Sequence, residues 1–166
     1  TIKIAFFFDQ GVDQSLADKW AKEIEDKWNS GNWFHGDCNC PVSFKVEFIK
    51  GNYSAANNCS PPPMGYHCII VTDYTTKPPK DTSGGTYPGY MYPPGVTNGS
   101  SISGWWSNSM SSPDPSNPGQ NYFDAAHEAG HMMGLGDDYN KPAGYYGKNL
   151  MGNTSGSNSG INQSMI

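Results

Sequence analysis

Residues 1–74 run strand, helix, strand, strand, and this order is the strongest constraint on the fold. Residues 2–8 (IKIAFFF) and 68–74 (CIIVTDY) are short and almost continuously apolar, which is typical of buried strands, the second of them central in its sheet. Residues 44–51 (FKVEFIKG) alternate apolar and charged side chains, which predicts an edge strand that is exposed to solvent on one face. The order as a whole predicts a mainly parallel α/β sheet.

Residues 12–28 separate the first two strands and carry a helical pattern. Apolar side chains recur every four residues and two alanines widen the stripe; these residues are Val12, Leu16, Ala17, Trp20, Ala21, Ile24 and Trp28. Asp and Lys occupy the other side, so we predict an amphipathic helix that packs on the sheet. The Asn-Ser-Gly-Asn run at 29–32 is expected to end it.

Residues 75–120 lose this periodicity and are rich in Pro, Gly, Ser and aromatic residues. So long a stretch without regular structure is uncommon inside a compact domain, and we therefore predict two short strands, at 86–92 and 101–106. The aromatic residues here, Trp105 and Trp106 among them, form either a binding face or part of the core and loop packing. Both interpretations stay open at this point.

Length and charge exclude several classes of protein. A chain of 166 residues suits one domain with its own core. The net charge of −5, with Lys and Arg numbering only 10, offers no basic surface for nucleic acid or anionic lipid. The longest apolar runs are too short to cross a bilayer. We therefore expect a monomer that binds no nucleic acid and does not insert into a membrane.

Four cysteines lie close together in the sequence: Cys38, Cys40, Cys59 and Cys68. Two disulfides are the favoured interpretation, and they indicate an oxidising compartment and a secreted protein. A four-cysteine zinc site is the alternative, although the C-x2-C pairs that usually build one are missing. A bridge between Cys38 and Cys40 is expected to be strained. Each is therefore predicted to pair with Cys59 or Cys68, in either of the two arrangements.

Residues 121–134 (NYFDAAHEAGHMMG) carry the second helical pattern. Three alanines favour a helix, Asn121 can cap its start and Gly134 can end it. The chain after Gly134 is loop-like in composition, rich in Gly, Ser and Asn. We predict a helix here, followed by irregular structure.

Two histidines within this second helix are spaced for a metal site. His127 and His131 lie one turn apart on one face, where both imidazoles can bind one Zn²⁺. Glu128 is displaced around the helix, so it can reach a water molecule on the metal without binding the metal; this is the H-E-x-x-H arrangement of zinc peptidases. Two unconnected histidines beside a glutamate are the alternative, but histidine is scarce here, with 4 in the chain.

A catalytic zinc ion takes three protein ligands and keeps one position open for water. Gly134 lies three residues after His131, where the helix is expected to stop, and Asp137 follows three residues later with a carboxylate oxygen. The full pattern is H-E-x-x-H-x-x-G-x-x-D. It predicts Asp137 as the third ligand.

The stretch HEAGHMMGLGD resembles the extended zinc motif of the metzincin metallopeptidases, with Asp137 in place of the usual third histidine. That substitution is the pattern of the snapalysin-type small neutral proteases. The segment KNLMG, with Met151, is similar to the Met-turn of the same family, whose methionine forms a hydrophobic floor below the zinc and is not a ligand. The resemblance implies a metzincin-like α/β fold with a twisted, mostly parallel sheet, an active-site helix and a small irregular C-terminal subdomain.

The resemblance also implies one catalytic domain over residues 1–166, divided into subdomains at 1–134 and 135–166. Two features differ from the family. Some members carry an auxiliary tyrosine two residues after the Met-turn methionine, where this chain has Asn153. The candidates to replace it, each otherwise a packing residue, are Tyr139, Tyr145 and Tyr146. The helix that usually follows the Met-turn is short here, or the chain is trimmed within it.

These features predict a secreted zinc-dependent endopeptidase that uses one Zn²⁺ and acts on a protein or peptide. Glu128 is the expected general base that takes a proton from the attacking water. In metzincins an antiparallel edge strand binds the substrate backbone, and residues within 86–106 are expected to supply it. Two alternatives stay open: a target-specific toxin or effector domain excised from a larger protein, with the same chemistry, and a non-catalytic aromatic-rich binding module.

Overall fold

The computed structural model describes residues 1–35, 37–54, 64–80, 84–92, 102–115, 118–137, 149–152 and 161. In chain order its elements are β1 (Ile2–Phe8), α1 (Leu16–Trp28), β2 (Trp33–His35), β3 (Cys40–Val42), β4 (Val46–Asn52), β5 (His67–Thr72), β6 (Gly89–Met91), β7 (Gly104–Ser107) and α2 (Asp124–Met132). Neither helix within these ranges is long and apolar enough to cross a membrane.

Five strands form one sheet in the order β4-β1-β5-β7-β6. All neighbouring pairs are parallel except β6 and β7, which are antiparallel. The predicted α/β class with a mostly parallel sheet is therefore confirmed. The alternating strand is β4 and lies at an edge, and the continuously apolar β5 lies in the middle, both as predicted.

The two short strands predicted in the Pro- and Gly-rich region are also present, as β6 and β7. The separate hairpin of β2 and β3 is not predicted by the sequence. Each of its strands has three residues, and their side chains are mostly exposed, so no apolar alternation marks them.

Both helices pack on one face of the sheet and share a core with its inward side chains. Trp20 of α1 lies 5.6 Å from the ring centre of Phe6 and 5.3 Å from that of Trp106, and all three are fully buried. Burying side chains of this kind stabilises the fold by about 1.5–3 kcal/mol each. Trp106 is thus a core residue and no part of a binding face, whereas Trp105 lies on the opposite face against Tyr53.

Helix α1 begins at Leu16, four residues later than its apolar stripe suggests. The carboxylate of Asp13 accepts hydrogen bonds from the backbone N–H and the hydroxyl of Ser15, at 2.8 and 2.7 Å. Such a local side-chain turn competes with helical hydrogen bonding. Val12 therefore packs against the core from the loop before the helix.

The prediction that Asn121 caps α2 is wrong. Asn121 pairs with Pro113 in an isolated antiparallel bridge, and the flanking backbone bonds run from Asp114 N–H to the carbonyl of Gln120 and from Tyr122 N–H to that of Ser112. This extended pairing keeps residue 121 outside the helix. The helix instead begins at Asp124, whose carboxylate accepts a hydrogen bond from the backbone N–H of Ser111 at 3.2 Å.

The predicted cysteine pairing is also wrong, because Cys38 and Cys40 are joined to each other. Asn39 between them has a positive φ of 50°, and this turn brings the two Cα atoms to 5.1 Å, within the range that a disulfide spans. Cys68 is also disulfide-bonded, and Cys59 lies outside the described residues. A zinc site of all four cysteines is therefore excluded.

Candidate metal centre

The end of α2 sets the geometry of the centre. Gly134 has a φ of 90°, its N–H bonds to the carbonyl of His131 at 2.9 Å, and the N–H of Leu135 bonds to the carbonyl of Gly130 at 3.0 Å. These two bonds form a Schellman motif, in which the left-handed residue is usually glycine. The prediction that Gly134 ends the helix is confirmed. The chain reverses there and carries Asp137 back beside the helix.

The three predicted ligands meet at one point. The Nε2 atoms of His127 and His131 lie 3.2 Å apart, and Oδ1 of Asp137 lies 3.2 Å from the first and 3.3 Å from the second. Ligand atoms bound tetrahedrally at zinc distances of 2.0–2.1 Å are about 3.3 Å from one another. The triangle therefore has the size of one face of a zinc coordination tetrahedron, and these residues fit the ion.

Backbone carbonyls orient both imidazoles. Nδ1 of His127 lies 2.9 Å from the carbonyl oxygen of Leu150, and Nδ1 of His131 lies 2.8 Å from that of Leu135. A carbonyl can only accept, so each Nδ1 carries the proton and donates it. The Nε2 lone pairs are left facing the centre, which is the common outer arrangement of metal-binding histidines.

The charges at the centre favour a cation. Burial lowers the pKa of both imidazoles, but hydrogen bonds to Asp137 outweigh it, so the pKa of His127 is raised and that of His131 reaches about 9. Burial also acts to raise the pKa of Asp137, and the two imidazoles hold it well below its ordinary value. The ionised carboxylate of Asp137 thus stabilises positive charge at the centre. A divalent ion can supply that charge in place of the shared protons.

Glu128 lies beside the ligands and is not one of them. It is buried, and its Oε2 has no hydrogen-bond partner among the described residues. Burial raises the pKa of its carboxyl, although the neighbouring imidazoles oppose the rise. A buried carboxyl oxygen without a partner is costly, and a water molecule at the centre would satisfy it.

Met151 lies directly below the helix, in the turn of residues 149–152. It is fully buried, and a Cβ on Gly130 would overlap its Sδ atom. The turn closes through Gly152 N–H, which donates to the carbonyl and to Oδ1 of Asn149 at 3.1 and 3.0 Å. Because Leu150 in the same turn orients His127, this segment both supports the helix and fixes a ligand.

The tyrosines predicted as auxiliary groups, Tyr139, Tyr145 and Tyr146, lie outside the described residues, as does Asn153. Sequence reasoning missed the carbonyls of Leu135 and Leu150, since every residue carries a carbonyl and no pattern marks these two. It also missed Glu23.

Glu23 lies on α1 and reaches the start of α2. Its Oε1 accepts a hydrogen bond from the backbone N–H of Ala126 at 3.2 Å, next to the first ligand in sequence. Burial raises the pKa of this carboxyl to about 7, although hydrogen bonds from Ser111 and Ala126 oppose the rise. An unpaired helical N–H is thereby satisfied by a side chain from the neighbouring helix.

The donor set of two imidazole nitrogens and one carboxylate oxygen suits Zn²⁺, although imidazole also binds copper, iron and nickel. Neither a scan against protein-family models nor a search of curated proteins finds a match to this chain. Function is therefore inferred from the chemistry of the centre itself.

Proposed function

We propose that this chain is a zinc-dependent endopeptidase of the metzincin type, in which His127, His131 and Asp137 hold one Zn²⁺. The observation that carries the proposal is the triangle of ligand atoms, with edges of 3.2–3.3 Å, beside the unpartnered carboxyl oxygen of Glu128. A structural zinc site is closed by four protein ligands and has no use for a base. Among the described residues the centre offers three ligands and an adjacent base, a combination that suits metal-dependent peptide hydrolysis.

The proposed reaction divides the work among these residues. When bound, Zn²⁺ would lower the pKa of a water ligand to about 7 and polarise the scissile carbonyl. Glu128 accepts a proton from the attacking water and passes it to the leaving amine nitrogen. Its Oε2 atom has no hydrogen-bond partner among the described residues, so it is available for both transfers.

The edge strand β6 is the proposed binding site for the substrate backbone. It is antiparallel to β7 at one end of the sheet, and α2 packs beside it. Its only strand partner among the described residues is β7, so its outer edge can pair with an extended peptide. An extended chain bound at this edge would lie near the helix that carries the ligands.

The proposal also covers the oligomeric state and the location of the enzyme. We propose that the enzyme acts as a monomer outside the cell, which the disulfide between Cys38 and Cys40 supports, since disulfides persist in oxidising compartments. The effector alternative uses the same chemistry and differs in substrate range. Cleavage of one protein target without digestion of casein would favour it.

The decisive experiment replaces the base and keeps the ligands. Glu128→Ala should abolish proteolysis of a peptide library while the zinc content stays at one ion per chain. The matched control is Glu47→Ala on the exposed edge strand β4, where a surface pair with Lys3 at 3.6 Å contributes little. If Glu128→Ala cleaved peptides as fast as the parent chain, the proposed mechanism would be wrong.

A further inference from the structure

The hairpin of β2 and β3 brings two sulfurs and an imidazole together away from α2. His35 and Cys40 are direct cross-strand partners, so their side chains lie on the same face of the hairpin. Cys38, bonded to Cys40, has its Sγ 3.9 Å from Nδ1 of His35. The imidazole of His35 therefore lies beside the disulfide near the tip of the hairpin.

The base of this hairpin is fixed to the body of the protein. Nε1–H of Trp33 donates to the carbonyl of Trp28 at 2.7 Å, at the end of α1. On the other side, Asn29 and Phe44 exchange two hydrogen bonds of 2.8 Å, one in each direction. These contacts hold both ends of the hairpin.

The tip, in contrast, is exposed. His35, Asp37, Cys38 and Cys40 are all exposed to solvent. Cys68 is fully buried in the sheet. Exposed disulfides are accessible to attack by thiolates, whereas buried ones are shielded. A mild reductant should therefore open the bond between Cys38 and Cys40 and leave that of Cys68 closed.

We propose that the hairpin tip is a second metal site, closed by its disulfide, which on reduction binds one thiophilic ion such as Zn²⁺ or Cu⁺ through His35, Cys38 and Cys40. A dithiol supplies two electrons and two protons, so the S–S bond breaks to two thiols and the dithiol becomes a cyclic disulfide. The ion then displaces the two thiol protons, which leave to solvent, and binds two thiolates and the imidazole.

The ligand types and their positions support this proposal. Thiolates and imidazole are the ligands that zinc and copper(I) prefer, and thiolates bind only when deprotonated. The Cα atoms of Cys38 and Cys40 are already 5.1 Å apart, and the imidazole is already beside one sulfur. Little rearrangement is needed once the bond opens, because the anchored base keeps the strands in register.

Cobalt(II) is the probe, because a thiolate bound to cobalt gives a charge-transfer absorption that nitrogen and oxygen ligands do not. The full chain is treated with a mild dithiol, the reductant is removed without air, and Co²⁺ is added. We expect the charge-transfer absorption to saturate at one thiolate-bound ion per chain after reduction and to be absent before it. His35→Ala should weaken cobalt binding at this site at least about tenfold, since even the outer partners of metal ligands are worth that much.

The matched control is the double variant Cys38→Ser, Cys40→Ser, which keeps the α2 centre and Cys68. It should show no charge-transfer absorption after the same treatment. Absorption that persists in this variant, absence of absorption in the reduced parent, or a disulfide that the mild dithiol does not open would each overturn the proposal. Within the part of the chain that the structure describes, the α2 centre has no sulfur ligand, so these results are independent of the proposed peptidase activity.

Discussion

The α2 centre and the hairpin tip each bring three metal-binding side chains together, but different forces hold them in place. In the α2 centre the side chains come from a helix and the segment after it, and backbone carbonyls of Leu135 and Leu150 orient the imidazoles at 2.8 and 2.9 Å. His127 is buried, and Met151 fills the space below. At the hairpin tip all three side chains are exposed and a covalent bond holds two of them.

This difference separates two ways to build a metal site. The α2 centre is organised by packing and hydrogen bonds before any ion arrives. Its ligand side chains therefore lose their conformational entropy on folding and not on metal binding. It should bind its ion whatever the redox conditions. At the hairpin tip the disulfide between Cys38 and Cys40 blocks both sulfur ligands, so metal binding there should depend on reduction of that bond. Substitutions that weaken the packing should therefore affect only the first site.

The largest expected effect comes from removing the acidic ligand of the α2 centre. Asp137→Ala removes one of three ligands, so zinc affinity at the α2 centre should fall by about 100-fold or more, which we expect from losses of about 10–100-fold for outer partners alone. The measurement is competition with a chromogenic zinc chelator. Asp37→Ala is the control, because Asp37 lies in the exposed hairpin turn. Equal zinc affinity in Asp137→Ala and the parent chain would remove Asp137 from the ligands.

A smaller effect is expected from disturbing the support under the helix. A Cβ at Gly130 would overlap Sδ of the buried Met151 and lie 3.2 Å from the ring of Trp28. Overpacking of this kind costs about 1–3 kcal/mol, which at least equals and mostly exceeds the roughly 1 kcal/mol that alanine gains over glycine in a helix. Gly130→Ala should therefore lower the thermal unfolding midpoint and weaken zinc retention.

Gly136→Ala is the matched control for this change, because a Cβ there meets nothing within 4 Å. It should shift the free energy of unfolding by less than about 0.5 kcal/mol. Neither glycine variant should alter cobalt binding at the reduced hairpin tip. A Gly130→Ala chain as stable as the Gly136→Ala chain would show that Met151 moves aside without cost.

The same comparison shows which parts of the molecule the sequence could predict. The apolar spacing of α1 and β4 predicts them because burial on one face imposes periods of about four residues in a helix and two in a strand. The spacing of His127, His131 and Asp137 predicts their meeting because a helix and a glycine turn bring such positions together. All of these features depend on spacings between residues that are close together in the sequence.

Elements that depend on contacts between distant segments, or on an unusual backbone conformation, were not predictable in this way. Asn121 has the composition of a cap, but its pairing with Pro113 takes it out of the helix. The Cys38–Cys40 bond depends on a turn with a positive φ at Asn39, which is not a glycine. Glu23 lies on α1 among charged neighbours, and only the packing of α1 against α2 makes it a half-buried partner of Ala126.

Glu23 gives the smallest expected effect and tests how far the packing of α1 against α2 shields its carboxyl from solvent. Its pKa rises from 4.5 to about 7 on folding, chiefly through burial; the charge of Asp124 adds to the rise and that of Lys19 opposes it. Below pH 4.5 the carboxyl is protonated in both the folded and unfolded states. As the pH rises towards about 7, the unfolded state ionises more readily and stability falls.

Glu23→Gln keeps an acceptor for Ala126 N–H and removes the charge, so the chain should gain on the order of 1 kcal/mol at pH 8 and lose this pH dependence. Denaturant unfolding at pH 4.5 and pH 8 measures both effects, with Glu47→Gln as the exposed control. A parent chain with the same pH dependence as Glu23→Gln would show that Glu23 stays ionised when folded.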